Sequence, residues 1–256
     1  MKSLASTVIV VGPGRVGAAL ARGLRAHFQV RTRKRGQALQ LERVPDGSWI
    51  LVCVPEAAWS ELAPQLELHT KRLRIVSVSG SLTAEDFAAL QLDRIETLHP
   101  LMTFAHGERE SLRGVPMGIS SPALRPLVKA VGGKAFALPA DRTLYHAGAV
   151  MAAAGIVTTF ALACELLAAS GVDKAAQMLE PIATRAIALA AKHGAARALT
   201  GPVARGDERT LARHRAALSS PAAQASIARD DAALYEALIA AMRRLRKAAI
   251  AAPVAK

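Results

Sequence analysis

The chain has 256 residues, 52% of them hydrophobic, which is enough to bury the core of a nucleotide-binding domain and of a smaller second domain. A net charge of +13 would suit nucleic acid, but the basic residues are spread along the chain, and aromatic residues, at 4%, are too few for the stacking surfaces of single-strand binders. The charge therefore favours anionic small molecules, and we expect no nucleic-acid partner.

The first predicted element is a strand, Thr7–Val11, followed directly by a glycine motif and a helix with apolar periodicity. In a G-x-G-x-x-G turn, Gly12 permits the tight turn, Gly14 lets the backbone approach a pyrophosphate, and Gly17 lets the helix lie close to the sheet. The motif predicts a dinucleotide site at a helix N-terminus, with an ordinary glycine-rich turn as the alternative. The residues expected to hold the phosphates are Gly12, Pro13, Gly14, Arg15, Val16 and Gly17.

The second predicted strand ends in a basic cluster. It reads Arg31, Thr32, Arg33, Lys34, Arg35, and no carboxylate lies between Met1 and Glu42. An NAD-preferring site would offer an acidic residue to the ribose at this place. Arg31 and Arg33, helped by the Thr32 hydroxyl, suit a 2′-phosphate instead, which predicts NADP. A solvated basic loop is the alternative.

Five further strands are predicted at residues 49–54, 74–78, 95–98, 114–120 and 133–138. The carboxyl ends of parallel strands form the ligand crevice of an open α/β sheet. We therefore expect Val54, Pro55 and Ser79 to contact the cofactor, and His99 to lie in the same crevice.

The two cysteines, Cys53 and Cys164, are too few for a disulfide framework and lie in apolar segments. The first residues carry no hydrophobic signal segment. Both features favour a location in the reducing cytoplasm.

Beyond Pro139 the strand pattern stops and alanine-rich helical periodicity takes over, over residues 144–170, 173–193, 208–218 and 230–252. The predicted class is α/β: an N-terminal doubly wound Rossmann domain over residues 1–141, followed by an all-α domain over residues 142–256.

One segment of the first helix, residues 147–164, carries no charge and has the composition of a membrane span. Its small residues, and the flanking His146 and Glu165, favour a buried helix or a homodimer interface instead. We expect a homodimer and no membrane partner.

The most unusual polar stretch is ALTGPVARGD, residues 198–207. Its glycine and proline predict an ordered loop that presents Thr200, Arg205 and Asp207 together. A charged connector held by an Arg205–Asp207 pair is the alternative.

Four motifs together resemble the Rossmann-like proteins with a C-terminal domain of the DUF2520 type, over nearly the whole chain. They are VIVVGPGRVGAAL, HPLMTF at residues 99–104, YHAGAV at residues 145–150, and LTGPVARGD with Thr210 and His214. This resemblance implies kinship with the 6-phosphogluconate dehydrogenase, pyrroline-5-carboxylate reductase and ketopantoate reductase group, in which a Rossmann domain holds NADP and a helical domain completes the site and often the dimer. Relatives commonly carry Ser-Asn where this chain has Ala153 and Ala154.

Hydride transfer needs a proton donor and a group that holds the rest of the substrate. The lysine acid of the wider group has no counterpart near Tyr145, so His146 and His99 are the expected proton donors. Arg205, with Thr200 and Asp207, is expected to bind an acidic substrate. The sequence thus predicts an NADP-dependent oxidoreductase acting on a small keto or hydroxy acid, with ketopantoate as one candidate. A non-catalytic NADP-binding sensor or scaffold is the alternative, because the lysine and the asparagine are missing.

Overall fold

The structure is a computed structural model that describes residues 6–34, 36–225 and 229–251. It divides into two compact units, residues 1–153 and residues 154–256. The division falls later than the predicted boundary at residue 141. The reason is that the helix beginning at Arg142 is bonded to the first unit, where its guanidinium binds the carbonyls of Ser79 and Gly80.

The first unit is built on a sheet of seven strands, and the predicted α/β Rossmann class is confirmed. The strands are β1 (Thr7–Val11), β2 (Gln29–Arg33), β3 (Trp49–Val52), β4 (Arg74–Ser77), β5 (Glu96–Pro100), β6 (Pro116–Ile119) and β7 (Lys134–Ala137). Their order is β2-β1-β3-β4-β5-β6-β7, and every pair is parallel except β5 with β6. The chain reverses its direction across the sheet between β1 and β3, which is where open α/β sheets bind ligands.

Helices cover both faces of this sheet. They are α1 (Arg15–Leu24), α2 (Trp59–Glu67), α3 (Ala84–Ala89), α4 (Arg125–Ala130) and α5 (Arg142–Val150), with short 3₁₀ turns at Leu41–Arg43, Glu56–Ala58 and Pro122–Leu124. Alternate residues of β1 enter different cores: Val8 and Val10 pack with α1 and α4, whereas Ile9 and Val11 pack with α2 and α3. The central strands β1 and β3 are buried on both faces, which explains their unbroken apolar runs.

The second unit is helical in its described part. Its helices are α6 (Ile156–Ala169), α7 (Ala175–His193), α8 (Ala195–Ala198), α9 (Gly201–Arg205), α10 (Glu208–Leu218), α11 (Pro221–Gln224) and α12 (Arg229–Ala251). The predicted loop at residues 198–207 is wrong in form, because Pro202 stands in the first turn of α9, where a missing N–H costs nothing. A π-helical turn, Met151–Gly155, joins α5 to α6.

By length and composition, one described helix could span a membrane. It is Arg142–Ala169, with a mean hydropathy of 2.0, and only 6% of its apolar window is buried. Large apolar side chains stand exposed on it and on α7, among them Met151, Val157 and Ile182.

Candidate functional site

The glycine turn after β1 has the geometry that each glycine was expected to supply. Gly12 has φ +82°, and a Cβ there would lie 2.8 Å from the carbonyl oxygen of Cys53. A Cβ on Gly17 would overlap the carbonyl oxygen of Gly12, so α1 can approach the turn only without a side chain. A Cβ on Gly14 would meet nothing within 4 Å. The turn is therefore closely packed at Gly12 and Gly17 and open at Gly14.

The N-terminus of α1 is prepared for an anion. Gly14 is the N-cap, no side chain caps the helix, and its first turn holds no acidic residue. The first amides of a helix lack intrahelical acceptors, and the helix dipole favours negative charge beside them. Open space and uncapped amides together fit a phosphate group.

A cavity of about 790 Å³ adjoins this turn at the carboxyl ends of β1 and β3. Four of the residues predicted to contact the cofactor line it: Gly12, Gly14, Val54 and Pro55. The other predicted residues are not among its lining residues: Pro13, Arg15, Val16, Gly17, Arg31, Thr32, Arg33 and Ser79. Residues that the prediction omitted also line it, notably Lys34, Gln37, Cys53, and Ala57 and Leu62 from the side of α2.

The basic cluster at the end of β2 divides between two faces of the sheet. In the parallel register, Arg31 pairs with Ile9 and Arg33 with Val11, so both arginines lie on the face that carries α2 and the cavity. Thr32 pairs with Val10 and lies on the opposite face, which separates it from the two arginines. Arg35 lies outside the described residues.

A second group of polar side chains gathers at the carboxyl ends of β4 and β5. The Nδ1 atom of His99 on β5 lies 2.7 Å from the Tyr145 hydroxyl on α5. Their rings meet edge to face at 5.6 Å, and the His146 ring lies 6.1 Å from that of His99. A Cβ on Gly80 would lie 2.6 Å from the His146 ring and 2.8 Å from Nε2 of His99, so only glycine leaves room for both. We call His99, Tyr145 and His146 the aromatic trio.

Two further side chains fix the backbone beside the trio. Arg142 donates from Nη2 to the carbonyls of Ser79, at 3.1 Å, and Gly80, at 3.2 Å, while its buried Nε has no partner. Ser79 donates from its hydroxyl to the Glu56 carboxylate at 2.8 Å, and the Ser81 hydroxyl donates to the same oxygen. The predicted contact residue Ser79 is thus bonded within the protein and ties the end of β3 to the end of β4.

Burial shifts the pKa values of His99 and Tyr145. It lowers the pKa of His99 to about 4, and the charges of His146 and Arg142 act in the same direction. Burial raises the pKa of Tyr145, and Arg142 opposes that rise. His99 is therefore neutral at neutral pH and lacks the imidazolium proton that a donor needs, which argues against its expected role as general acid.

Burial also raises the pKa of Cys53 to about 12, so this cavity-lining thiol is inert.

The predicted substrate residues Thr200, Arg205 and Asp207 lie in the second unit. Asp207 is the N-cap of α10, where it accepts from the Thr210 amide at 3.0 Å and from the Thr210 hydroxyl at 2.7 Å. These bonds lower the pKa of Asp207, and the Arg205 charge adds a smaller effect. Arg205 ends α9, and Thr200 precedes it as an N-cap residue without a side-chain bond. Asp207, which the sequence predicts to bind a substrate, thus also caps a helix.

The fold and the phosphate-ready turn define the class: a Rossmann-type protein with a dinucleotide-sized cavity at its switch point. A family model described as a domain of unknown function, DUF2520, matches residues 119–242. The chain is therefore a Rossmann-like protein with a C-terminal DUF2520 domain, as the resemblance implied.

Solved structures share the fold at low sequence identity. A provisionally assigned NADP oxidoreductase from Bacteroides fragilis is similar at TM-score 0.69 and 19% identity, over 93% of this chain and 98% of that one. A protein from Thermotoga maritima is similar at TM-score 0.69 and 19% identity, over 94% of this chain and 98% of that one. A reductive aminase from Aspergillus terreus is similar at TM-score 0.60 and 14% identity, over 93% of this chain and 94% of that one. That structure was solved with a form of NADPH, cyclohexanone and allyl amine. Comparison with the curated proteins gives no match.

Proposed function

We propose that the protein is an NADP-dependent oxidoreductase that acts on a small keto or hydroxy acid. The observation that carries the proposal is the open, uncapped turn at Gly14, which adjoins a cavity of about 790 Å³ at the switch point of the sheet. At Gly14 the open space coincides with the uncapped amides of α1 and with the cavity, a combination that suits a bound phosphate. Ketopantoate is one candidate substrate, on the resemblance described above.

Residues of this chain fit the parts of a nicotinamide dinucleotide. The amides at the start of α1 suit the pyrophosphate, and Val54 and Pro55 provide apolar walls. The bound dinucleotide would supply or accept the hydride. What remains for the protein is to orient the substrate, exclude water and move a proton.

Charge supports the phosphorylated form of the dinucleotide. Arg31 and Arg33 share the cavity's face of the sheet, and Lys34 lines the cavity itself. Charge-assisted bonds to phosphate contribute roughly 1.5–3 kcal/mol each. We expect NADPH to bind at least tenfold more tightly than NADH.

The test of this preference is a pair of titrations followed by NADPH and NADH fluorescence. Replacing Arg31 and Arg33 by Ala should remove most of the difference while NADH affinity stays as it was. Arg25, a basic residue just beyond the end of α1, offers a matched control through Arg25→Ala, which should leave both affinities unchanged. Equal affinities in the unaltered protein would contradict the assignment of the basic cluster.

Turnover separates the enzyme from a non-catalytic sensor. Oxidation of NADPH is followed at 340 nm with pyruvate, 2-oxoglutarate and ketopantoate, each with and without ammonia. The ammonia arm matters because the reductive aminase of similar fold was solved with a ketone and an amine. Consumption in any arm supports the enzyme, whereas tight NADPH binding without consumption in all arms supports the sensor.

We propose further that a second copy of the chain covers the apolar surface of α6 and α7. The uncharged stretch between His146 and Glu165 is 18 residues and spans ~27 Å as a helix, slightly less than the ~30 Å of a bilayer core. Its alanines and glycines permit close helix packing. The Arg142 end of this helix is bonded to Ser79 and Gly80.

A further inference from the structure

We infer that Tyr145 is the proton-transfer residue of this site and that His99 positions its hydroxyl; the inference rests on the proposed function. Tyr145, to which the sequence assigns no role, thus takes the place of the two histidines expected as proton donors.

The geometry around Tyr145 has a built-in comparison elsewhere in the chain. The chain has two tyrosines, and each hydroxyl lies 2.7 Å from a histidine Nδ1: Tyr145 from His99, and Tyr235 from His214. Both ring pairs meet nearly edge to face, at 5.6 Å and 6.2 Å. A tyrosine–histidine bond alone therefore does not define a site, and the surroundings of each pair must decide.

The surroundings of the two tyrosines differ in charge. Burial raises the pKa of both tyrosines, and an arginine opposes the rise at each, Arg142 at Tyr145 and Arg215 at Tyr235. At Tyr235 the Glu236 carboxylate raises the pKa further. A phenol that gives up its proton becomes an anion, which a nearby cation stabilises and a nearby carboxylate opposes. A carboxylate therefore opposes ionisation at Tyr235, whereas the charge that acts on Tyr145 is a cation.

A series of contacts along the carboxyl edge of the sheet connects the cavity with Tyr145. Pro55 lines the cavity, and the next residue, Glu56, binds the hydroxyl of Ser79. Gly80 follows Ser79 and packs against His99, which binds Tyr145. The cavity and the tyrosine are thus linked by adjacent strand ends of one unit.

The chemistry of the step balances with these groups. Hydride adds to the carbon of a C=O or C=N bond, and the electron pair of that bond moves to the oxygen or nitrogen. That atom takes the proton of the Tyr145 hydroxyl, and the phenolate regains a proton from water. Neutral His99 can donate its Nδ1–H to the phenolate oxygen, which orients the hydroxyl and stabilises the anion.

The first test needs no substrate. Protein labelled with ¹³C at the tyrosine Cζ gives two signals, assigned with Tyr145→Phe and Tyr235→Phe, and each is titrated with pH in the presence of NADP⁺ and of NADPH. The two dinucleotides differ in the positive charge of the nicotinamide ring, so a tyrosine near that ring should have its pKa lowered by about one unit with NADP⁺ relative to NADPH. We expect this difference for Tyr145 and none for Tyr235. Equal Tyr145 values with both dinucleotides bound would overturn the inference.

The second test uses the 2-oxo acid that the protein reduces. Tyr145→Phe should lower kcat by about 10²–10⁴ without weakening NADPH binding, and Tyr235→Phe should leave kcat unchanged. His99→Ala should lower kcat, and His99→Asn, whose amide N–H can replace Nδ1–H, should recover part of it. If His146→Ala causes the loss and Tyr145→Phe does not, His146 is the donor and the inference is wrong.

The two proposals fail differently. Absence of NADPH and NADP⁺ binding overturns the proposed function, and this inference with it. Binding of both dinucleotides with an unresponsive Tyr145 overturns this inference alone.

Discussion

Two glycines of one turn, three residues apart, respond to opposite constraints. Gly17 is closed in by the carbonyl oxygen of Gly12, whereas Gly14 faces open space with φ −69°, a value that any residue adopts. Packing requires glycine at position 17, whereas no contact in the described part of the protein requires it at position 14. Under the proposed function, one motif of identical residues combines a stability determinant, Gly17, with a binding determinant, Gly14.

This difference predicts opposite outcomes for two matched substitutions. Gly17→Ala should lower the free energy of unfolding by about 1–3 kcal/mol, because the added methyl group forces α1 away from the turn. Gly14→Ala should leave thermal unfolding nearly unchanged and weaken NADPH binding at least tenfold, because the methyl group stands where a phosphate would lie. Calorimetry and NADPH fluorescence measure the two effects. Unchanged NADPH affinity in Gly14→Ala would show that the open space is not a phosphate site.

His99 predicts how stability depends on pH. Its pKa is about 4 in the folded protein, below the ordinary value of 6.5, because burial and the charges of His146 and Arg142 disfavour the imidazolium. The unfolded chain therefore binds more protons between pH 6.5 and 4. The stabilisation is complete above about pH 6.5 and is lost as the pH falls towards 4.

Urea unfolding of the protein and of His99→Asn at pH 7.5 and pH 4.5 measures this effect. Between these pH values the free energy of unfolding should fall by on the order of 2 kcal/mol more in the unaltered protein than in the variant. Taking the difference removes the contribution of the other titrating groups. Equal losses in both proteins would mean that His99 titrates normally.

At the scale of elements, Asp207 shows why a polar residue in an unusual stretch need not belong to a site. Its carboxylate accepts two bonds from Thr210 at the start of α10, a local arrangement that the D-x-x-T spacing already permits. The side chains of Asp141, Thr83 and Ser220 likewise accept a backbone N–H at the starts of α5, α3 and α11. Four of the α-helices in the described part of the chain thus begin at a residue whose side chain caps the helix.

We therefore expect Asp207→Ala to lower the free energy of unfolding by about 1 kcal/mol. Asp207→Asn should lower it much less, because Asn is an equally good N-cap. Thr83→Ala, at the capping box of α3, provides a comparison of known geometry. If Asp207→Ala instead left stability unchanged and raised only the Michaelis constant of a 2-oxo acid, the substrate role first expected for Asp207 would stand.

Sequence patterns predicted the elements well and the side-chain contacts poorly. Thr7–Val11 and Glu208–Leu218 begin and end where their apolar periodicity and caps indicated. Short-range spacing determines such features, so one sequence suffices. The bond between His99 and Tyr145 joins residues 46 positions apart, and the separation of Thr32 from Arg31 and Arg33 depends on strand register. Neither follows from local spacing. Whether Thr200, Arg205 and Asp207 bind a substrate stays a prediction.

At the scale of the whole molecule, the distribution of apolar surface is uneven. The first unit buries both faces of its sheet in two large cores. The described part of the second unit has two small clusters, one around Leu162 and one around Val203, Leu211 and Ile239, and leaves large apolar side chains exposed. Contiguous exposed apolar surface on a soluble protein commonly marks an interface. An isologous pair of helical units is the simplest closed assembly that would cover it.

Sedimentation tests this last proposal, with a mass of twice the 26.8 kDa chain as the expected result at micromolar concentration. Val157 and Ile182 are 65% and 66% exposed on α6 and α7, so replacing both by Glu should cost the isolated chain little. In a dimer the same two charges would be buried without partners, and the assembly should dissociate to monomers. Leu68, 80% exposed in the first unit, provides the matched control: Leu68→Glu should remain dimeric. A monomer before any substitution would exclude the second copy, and recovery of the protein in the membrane fraction would assign the same surface to lipid.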